Sequence, residues 1–226
     1  MRIVIARDAR KALSRVQPAK AKDIREAIAR VAADPSARIR NLRPLKGVPN
    51  GFRIRVGDWR VSYTLDRAAG ILDVYEIAPR GGGISMSWLK FRFLGELEGS
   101  LRGQAIESEL KGIGAQSVDE VEDADVIVIS PADLHEMLED AAATAAYHRS
   151  RDQERVPIEL VDRLLAGESS VKVWREYRGL SQRALAARAD LDFTYLSQIE
   201  TGARRGPVKT MKKIAEALSV DLDDLT

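Results

Sequence analysis

The first third of the chain alternates between helical and strand-like spacing of its apolar residues. Arg2 to Ile5 has the pattern of a short strand, and apolar residues then recur every three or four positions over residues 9–16 and 19–33, which predicts two amphipathic helices. From Phe52 to Tyr63 the period changes to two, because apolar side chains alternate with arginine and serine. This alternation predicts two strands that bury one face.

A tight hairpin is expected between the two alternating runs, because the pair Gly57 and Asp58 stands between them and suits a type II′ turn. A two-residue loop fixes the register and gathers the arginines on one face. These are Arg53, Arg55 and Arg60, with Arg80 at the end of a third strand expected over residues 71–78. Like charges that face each other in a sheet cost about 0.2 to 1 kcal/mol per pair. The face therefore suits an anionic ligand, although arginines that merely solvate an open sheet remain the alternative.

The middle of the chain, residues 84–170, carries fewer readable elements. Val126 to Ile129 predicts a short strand, and Ser130 followed by Pro131 marks the start of a helix. The apolar stripe of that helix is expected at Leu134, Leu138, Ala141 and Ala145. A second short helix is expected from Ile158 to Leu165, before Gly167.

The last 56 residues show the spacing of five short helices. Ser181 is a candidate N-cap of the second helix, and Asp190 stands in the turn before the third, where a left-handed backbone is expected. The helices are expected over residues 171–177, from 182 to about 189, and over 193–200, 208–218 and 222–225.

Composition narrows the classes of chemistry that the chain can carry. The 226 residues are 45% hydrophobic and 31% charged, include no cysteine, and show no apolar run long enough to cross a membrane. The two histidines, His135 and His148, have no ligand spacing. We therefore expect a cytoplasmic protein with no membrane contact, no metal and no cofactor.

The net charge of +2 conceals a strong asymmetry along the chain. Residues 1–83 hold 18 Lys and Arg against 8 Asp and Glu, a net +10, whereas residues 84–170 hold 8 against 18, a net −10. Residues 171–226 carry +2. A basic block next to an acidic block predicts a polyanion-binding domain and a segment able to cover it. We expect residues 121–165 to lie on the arginine face, because charge screening limits the effect to near contact.

The stretch LKGVPNGFRIRVGDWRVSYTLDRAAGILDVYEIAPRGG, residues 45–82, resembles the core of the RelE/ParE toxin superfamily. The resemblance covers residues 1–82 and implies an α+β fold with two helices on an antiparallel sheet. Toxins of the RelE branch cut mRNA in the ribosomal A site, so the likeness implies mRNA and the ribosome as partners. It also implies catalytic positions, at which guanidiniums bind phosphate and stabilise its developing charge. These positions are Arg53, Arg55, Arg60 and Arg80.

Two departures leave the nuclease activity open. RelE-type nucleases usually have a tyrosine shortly after the last arginine, but Arg80 is followed by three glycines and Ile84. Residues 1–83 also contain no histidine to act as general acid or base. The ParE branch, which poisons DNA gyrase, is an alternative within the superfamily, although four arginines on the sheet favour the RelE branch.

The stretch SVKVWREYRGLSQRALAARADLDFTYLSQIETGARRGPVKTMKKIAEALSVDLDDL, residues 170–225, resembles the lambda-repressor-like (Xre) helix-turn-helix family. The resemblance implies that the third helix enters the major groove and reads bases from its N-terminal part. The readers would be Phe193, Thr194, Ser197 and Gln198, while Leu196 and Ile199 point to the core. Phosphates would be held by Gln182, Arg204 and Arg205.

Together these features predict a toxin–antitoxin fusion with three parts. They are a RelE-like domain at residues 1–83, an acidic joining region at 84–170 with a toxin-covering helix, and an all-α helix-turn-helix domain at 171–226. The last part would bind operator DNA and repress its own gene, while the joining region covers the toxin within one chain or across a homodimer. The alternative is a transcriptional regulator whose toxin-like half is inactive and serves as a docking domain.

Overall fold

The structure, a computed structural model, describes residues 1–36, 41–79 and 131–225, together with residues 90–91, 104 and 116–117. Its contacts divide the chain into two compact units, Met1–Glu154 and Arg155–Thr226. Arg80 and the strand expected at Val126–Ile129 lie outside the described residues. No helix within the described ranges combines the length and the apolar character needed to span a membrane.

A mixed sheet forms the base of the first unit. Its strands are β1 (Arg2–Ala6), β2 (Leu42–Pro44), β3 (Gly51–Val56), β4 (Trp59–Asp66) and β5 (Ile71–Pro79). Within this unit they lie in the order β2-β3-β4-β5-β1, with β1 parallel to β5 and every other pair antiparallel. A purely antiparallel sheet was therefore a wrong expectation, because the chain crosses over through two helices before it returns beside β1. Two further strands, β6 (Lys90–Phe91) and β7 (Gln116–Ser117), pair separately.

The central hairpin has the predicted register. Val56 pairs with Trp59, Arg55 with Arg60, and Ile54 with Val61. Gly57 has φ +63°, the left-handed backbone that a type II′ turn requires at its first position. Arg53 and Arg55 on β3 therefore share one face with Arg60 on β4, as the alternation predicted.

Among its described residues the first unit also has three helices: α1 (Arg7–Ser14), α2 (Pro18–Ala33) and α3 (Pro131–Ser150). Pro18 occupies the first turn of α2, where its missing N–H costs nothing. The predicted face of α2 is buried at Ile24, Ile28 and Val31. Helices α1 and α2 pack against β5 and β3, and α3 packs against β5.

The buried face of α3 differs from the predicted stripe. Ala141 and Ala145 are exposed, and the buried positions are Ala142, Ala143 and Ala146. The side chain of Leu134 lies outside the described residues. Ala143 and Ala146 join a core cluster with four residues of the sheet side, and Tyr147 packs against it. These four are Ala6, Leu45, Val48 and Tyr75.

The second unit is helical apart from a short strand, β8 (Arg155–Pro157). Its helices are α4 (Ile158–Leu165), α5 (Ser170–Tyr177), α6 (Gln182–Arg188), α7 (Phe193–Glu200), α8 (Val208–Leu218) and a 3₁₀ turn at Leu222–Asp224. Trp174, Leu185, Leu196 and Ile214 are among its most deeply buried side chains. The unit boundary after Glu154 differs from the predicted boundaries at 83 and 170, because α3 packs on the sheet and α4 packs on α5.

The packing of α3 predicts unequal effects of enlarging two neighbouring alanines. Ala143→Leu adds three carbons where Ala143 is fully buried, and overpacking of this kind costs about 1 to 3 kcal/mol. Ala145→Leu on the exposed side should change the free energy of unfolding by less than about 0.5 kcal/mol. Urea denaturation of both variants measures the difference, and equal midpoints would contradict the placement of α3.

Candidate nucleic-acid interface

Helices α6 and α7 form a helix-turn-helix with capped starts. The Ser181 hydroxyl accepts a hydrogen bond from the backbone N–H of Ala184 at 3.1 Å, so the predicted N-cap of α6 is confirmed. The Asp192 carboxylate caps α7 in the same way and accepts from the backbone N–H of Tyr195 at 3.1 Å. Each cap satisfies a backbone donor that the helix leaves unpaired and so defines where the helix begins.

The turn between the two helices has the predicted left-handed residue. Asp190 has φ +51°, a conformation that aspartate tolerates better than most residues. Its carboxylate accepts from the Lys213 ammonium on α8 at 2.9 Å. That hydrogen bond, together with the positive charge of Lys213, lowers the pKa of Asp190 below its usual range. The turn is therefore tied to α8 as well as to the helices it joins.

A buried ion pair holds α7 against α5. Glu200, at the end of α7, is 6% exposed and accepts from Arg175 Nε at 2.6 Å and Nη2 at 3.1 Å. The hydrogen bond from Arg175 to Glu200 raises the pKa of the guanidinium above its usual value. Gln182 Nε2 donates to the same carboxylate at 2.8 Å. Gln182, expected to hold a phosphate, thus uses one N–H of its amide for the hydrogen bond to Glu200.

The expected reading face of α7 points away from the core. Phe193 and Thr194 are exposed, while Ser197 and Gln198 are half-buried. The opposite side buries Leu196 and Ile199, and these inward positions agree with the prediction. The four expected readers therefore lie on the side of α7 that does not contribute to the core.

Arginine side chains flank this face and stack on its aromatic rings. The Arg204 guanidinium lies 4.8 Å from the centroid of the Tyr195 ring, and that of Arg183 lies 5.6 Å from the centroid of Phe193. Arg205 is exposed beside Arg204. The sequence analysis did not single out Arg183 or Tyr195. The position of Arg183 directly after Gln182, at the start of α6, was the signal that could have identified it.

The structure brings together three of the four arginines expected in the N-terminal unit. Arg53 and Arg60 are buried, with 1% and 3% of their surface exposed, and Arg55 is half-exposed. Arg80 lies outside the described residues. The strand pattern alone predicted an arginine face that suits an anionic ligand, with arginines that merely solvate an open sheet as the alternative. The face is instead covered by α3, as the charge asymmetry predicted.

One carboxylate of α3 meets all three arginines. Glu139, itself buried, lies 3.2 Å from Arg53 Nη2, 3.1 Å from Arg55 Nη2 and 4.0 Å from Arg60 Nη1. Asp140 lies 3.0 Å from Arg53 Nη1. Burial raises the pKa of Asp140, and the charge of Arg53 opposes that shift. In this structure the carboxylates of α3 occupy the place where an anionic ligand of the arginines would lie.

A fold in which two short capped helices present an outward recognition face is that of a helix-turn-helix DNA-binding domain. Comparison with protein families agrees, since the helix-turn-helix family matches residues 171–225. No solved structure matches the chain.

Two curated relatives match about a quarter of the chain. Control protein C.MunI of Mycoplasma sp. is 39% identical over 59 residues, which are 26% of this chain and 80% of that protein. Control protein C.BamHI of Bacillus amyloliquefaciens is 38% identical over 63 residues, 28% of this chain and 78% of that protein. The chain belongs to the helix-turn-helix family and is a DNA-binding regulator that resembles these control proteins.

Removing the buried carboxylate of α7 should destabilise the C-terminal unit. Glu200→Ala removes the carboxylate that accepts two hydrogen bonds from the buried Arg175 guanidinium, a change that costs about 3 to 5 kcal/mol. Glu168→Ala is the matched control, because Glu168 pairs with Arg163 at the protein surface, where an ion pair contributes little to stability. Chemical denaturation measures the loss of stability in each variant, and hydrogen exchange of the native protein shows whether α5 and α7 are affected. Equal losses in the two variants would contradict this account.

A parallel prediction applies to the N-terminal unit. Glu139→Gln keeps the size of the side chain but removes the charge that three arginines share. The free energy that protects the backbone amides of β3 and β4 from hydrogen exchange should therefore fall by about 3 kcal/mol or more. Glu136→Gln removes an exposed partner of Arg43 and should cost no more than about 1 kcal/mol. Hydrogen exchange of peptides from β3 and β4 reports the loss. Unchanged protection in Glu139→Gln would show that α3 does not hold the arginine face.

Proposed function

We propose that this protein is a transcriptional regulator that binds an operator near its own gene and represses it. The observation that carries the proposal is the surface of α7, where Phe193 and Thr194 are exposed at the end of the helix that reads bases in this family. Gln198 can pair with an adenine edge, and the Thr194 methyl group can contact the methyl group of a thymine. Arg204 and Arg205 would contact phosphates.

The charges around this surface support nucleic-acid binding. Two acidic side chains of the unit are held in ion pairs, Asp190 with Lys213 and Glu200 with Arg175. Arg204 and Arg205 are exposed beside α7. The surface therefore offers exposed positive charge to a phosphate backbone.

A palindromic operator bound by two copies of the chain suits such a domain. One domain of this size covers little DNA, and two half-sites one helical turn apart, about 34 Å, multiply the affinity. We therefore propose a homodimer on the operator, with one α7 in each of two successive major grooves.

The N-terminal unit is proposed to act as a docking or dimerisation domain. Arg53 and Arg60 are buried against Glu139, so neither guanidinium is presented to a ligand in this arrangement. The family match does not extend into this unit. Both observations favour the regulator over an active nuclease.

A RelE-like mRNA interferase, inhibited by its own α3, is the second candidate for this unit. The observation in its favour is the convergence of three guanidiniums on Glu139, because an RNA phosphate could take the place of that carboxylate. Full-length protein incubated with translating ribosomes tests this candidate, with primer extension to detect cut mRNA. Cleavage by the wild-type protein that disappears in Arg55→Gln would establish the mRNA interferase. Intact mRNA would exclude it and leave the transcriptional regulator as the remaining candidate.

The regulator predicts two distinct classes of DNA-binding variant. Gln198→Ala should relax the preference at one operator position by about 1 to 3 kcal/mol. Arg204→Ala combined with Arg205→Ala should weaken binding to all sequences and flatten the salt dependence, because phosphate contacts release counterions without reading bases. Fluorescence anisotropy with DNA from upstream of the gene, at several salt concentrations, separates the two effects.

The matched control removes the same charge elsewhere. Arg67→Ala combined with Arg151→Ala alters two exposed arginines of the N-terminal unit and should leave the affinity and the salt slope almost unchanged. An altered sequence preference with an unchanged salt slope in the Arg204 and Arg205 variant would show that these residues read bases. Binding of the wild-type chain to all DNA sequences with equal affinity would overturn the proposed function.

A further inference from the structure

Arg183 is placed to act on DNA in a way that the helix-turn-helix pattern alone does not assign. It is exposed on the second residue of α6, and its guanidinium carbon lies 5.6 Å from the centroid of Phe193, the first residue of α7. We propose that Arg183 reads a guanine in the operator and that Phe193 positions it. The inference rests on the proposed function, since it names one determinant of operator choice.

The guanidinium of Arg183 is not engaged by a carboxylate. Within the described residues the guanidinium contacts the ring of Phe193, and the acidic residues nearest to it in sequence have other partners. Asp190 pairs with Lys213, and Asp192 caps α7. All five N–H donors of the Arg183 fork therefore remain available to a ligand.

The chemistry of Phe193 explains why an arginine is needed beside it. The first residue of the reading helix approaches the base edges, but a phenyl ring offers no hydrogen bond and can only touch an apolar group such as the methyl group of thymine. Guanine presents two acceptors, O6 and N7, and an arginine fork pairs with both. The ring and the fork together fit a thymine next to a guanine.

The ring also prepares the arginine for binding. A cation held over an aromatic face has fewer side-chain conformations to lose when it binds, so more of the interaction energy appears as affinity. Phe193 is 41% exposed, and one of its faces is covered by the guanidinium. Phe193 is thus a positioning residue for Arg183 as well as a candidate thymine contact.

The test begins with an operator selected from random DNA by the full-length protein. Each guanine of a half-site is then replaced singly by 7-deazaguanine, which lacks the N7 acceptor. Wild-type protein should lose about 5- to 150-fold in affinity at one guanine. Arg183→Ala should bind the unmodified operator more weakly by a similar factor and show no further loss with 7-deazaguanine at that position.

Two further variants separate base reading from a phosphate contact. Arg183→Lys keeps the charge but loses the fork, so it should retain the salt slope and still lose the guanine preference. Phe193→Leu keeps an apolar side chain but removes the ring, so it should reduce the guanine preference, whereas Phe193→Tyr should preserve it. Arg188→Ala, an exposed arginine at the other end of α6, is the matched control and should preserve the guanine preference.

The outcomes distinguish this inference from the function on which it rests. Specific operator binding in which Arg183→Ala keeps the same sensitivity to every 7-deazaguanine would overturn the role of Arg183 and leave the regulator intact. Uniform weakening on all DNA with a reduced salt slope, restored by Arg183→Lys, would make Arg183 a phosphate contact and also overturn it. Failure to select any sequence would remove the proposed function together with this inference.

Discussion

A buried guanidinium needs a partner for its charge, and in both units of this protein a carboxylate from another element supplies it. In the N-terminal unit Glu139 of α3 meets Arg53 and its neighbours on the sheet, and in the C-terminal unit Glu200 of α7 meets Arg175 of α5. In both cases the acid and the base belong to different elements. The pairing therefore fixes one element against another, and it orients α7 so that its opposite side carries the residues proposed to read bases.

This requirement explains why the apolar pattern of α3 was misleading. The spacing of Leu138, Ala141 and Ala145 predicted one inward face, but alanine gains little from burial and several alanines of this helix could serve equally well. The two carboxylates that meet the arginines, Glu139 and Asp140, have no such freedom. The helix therefore turns Ala142, Ala143 and Ala146 inward with them. Charge asymmetry predicted which segment covers the arginine face, whereas hydrophobic periodicity did not predict its rotation.

Elements whose determinants are local were predictable from the sequence. The hairpin register follows from a two-residue turn, the starts of α6 and α7 depend on the caps Ser181 and Asp192, and the turn follows from Asp190. The parallel pairing of β1 with β5 depends on contacts distant in sequence, and β2, with three residues, is too short to show a periodic signal. The stacking of Arg183 on Phe193 belongs to the same class, because two helices have to meet before the pair exists.

Burial, more than net charge, separates the two sets of arginines in this protein. The N-terminal block carries +10, yet its central guanidiniums are paired with α3, and a phosphate would have to replace Glu139 and also offset the apolar contacts of Ala143, Ala146 and Tyr147. The C-terminal segment carries only +2, but its arginines beside α7 are exposed. Because counterion release from DNA needs accessible positive charge on the protein, the C-terminal segment is better suited to binding DNA than the basic block, although its net charge is small. The central arginines of the basic block are thus paired within the first unit, and DNA recognition is assigned to the C-terminal unit.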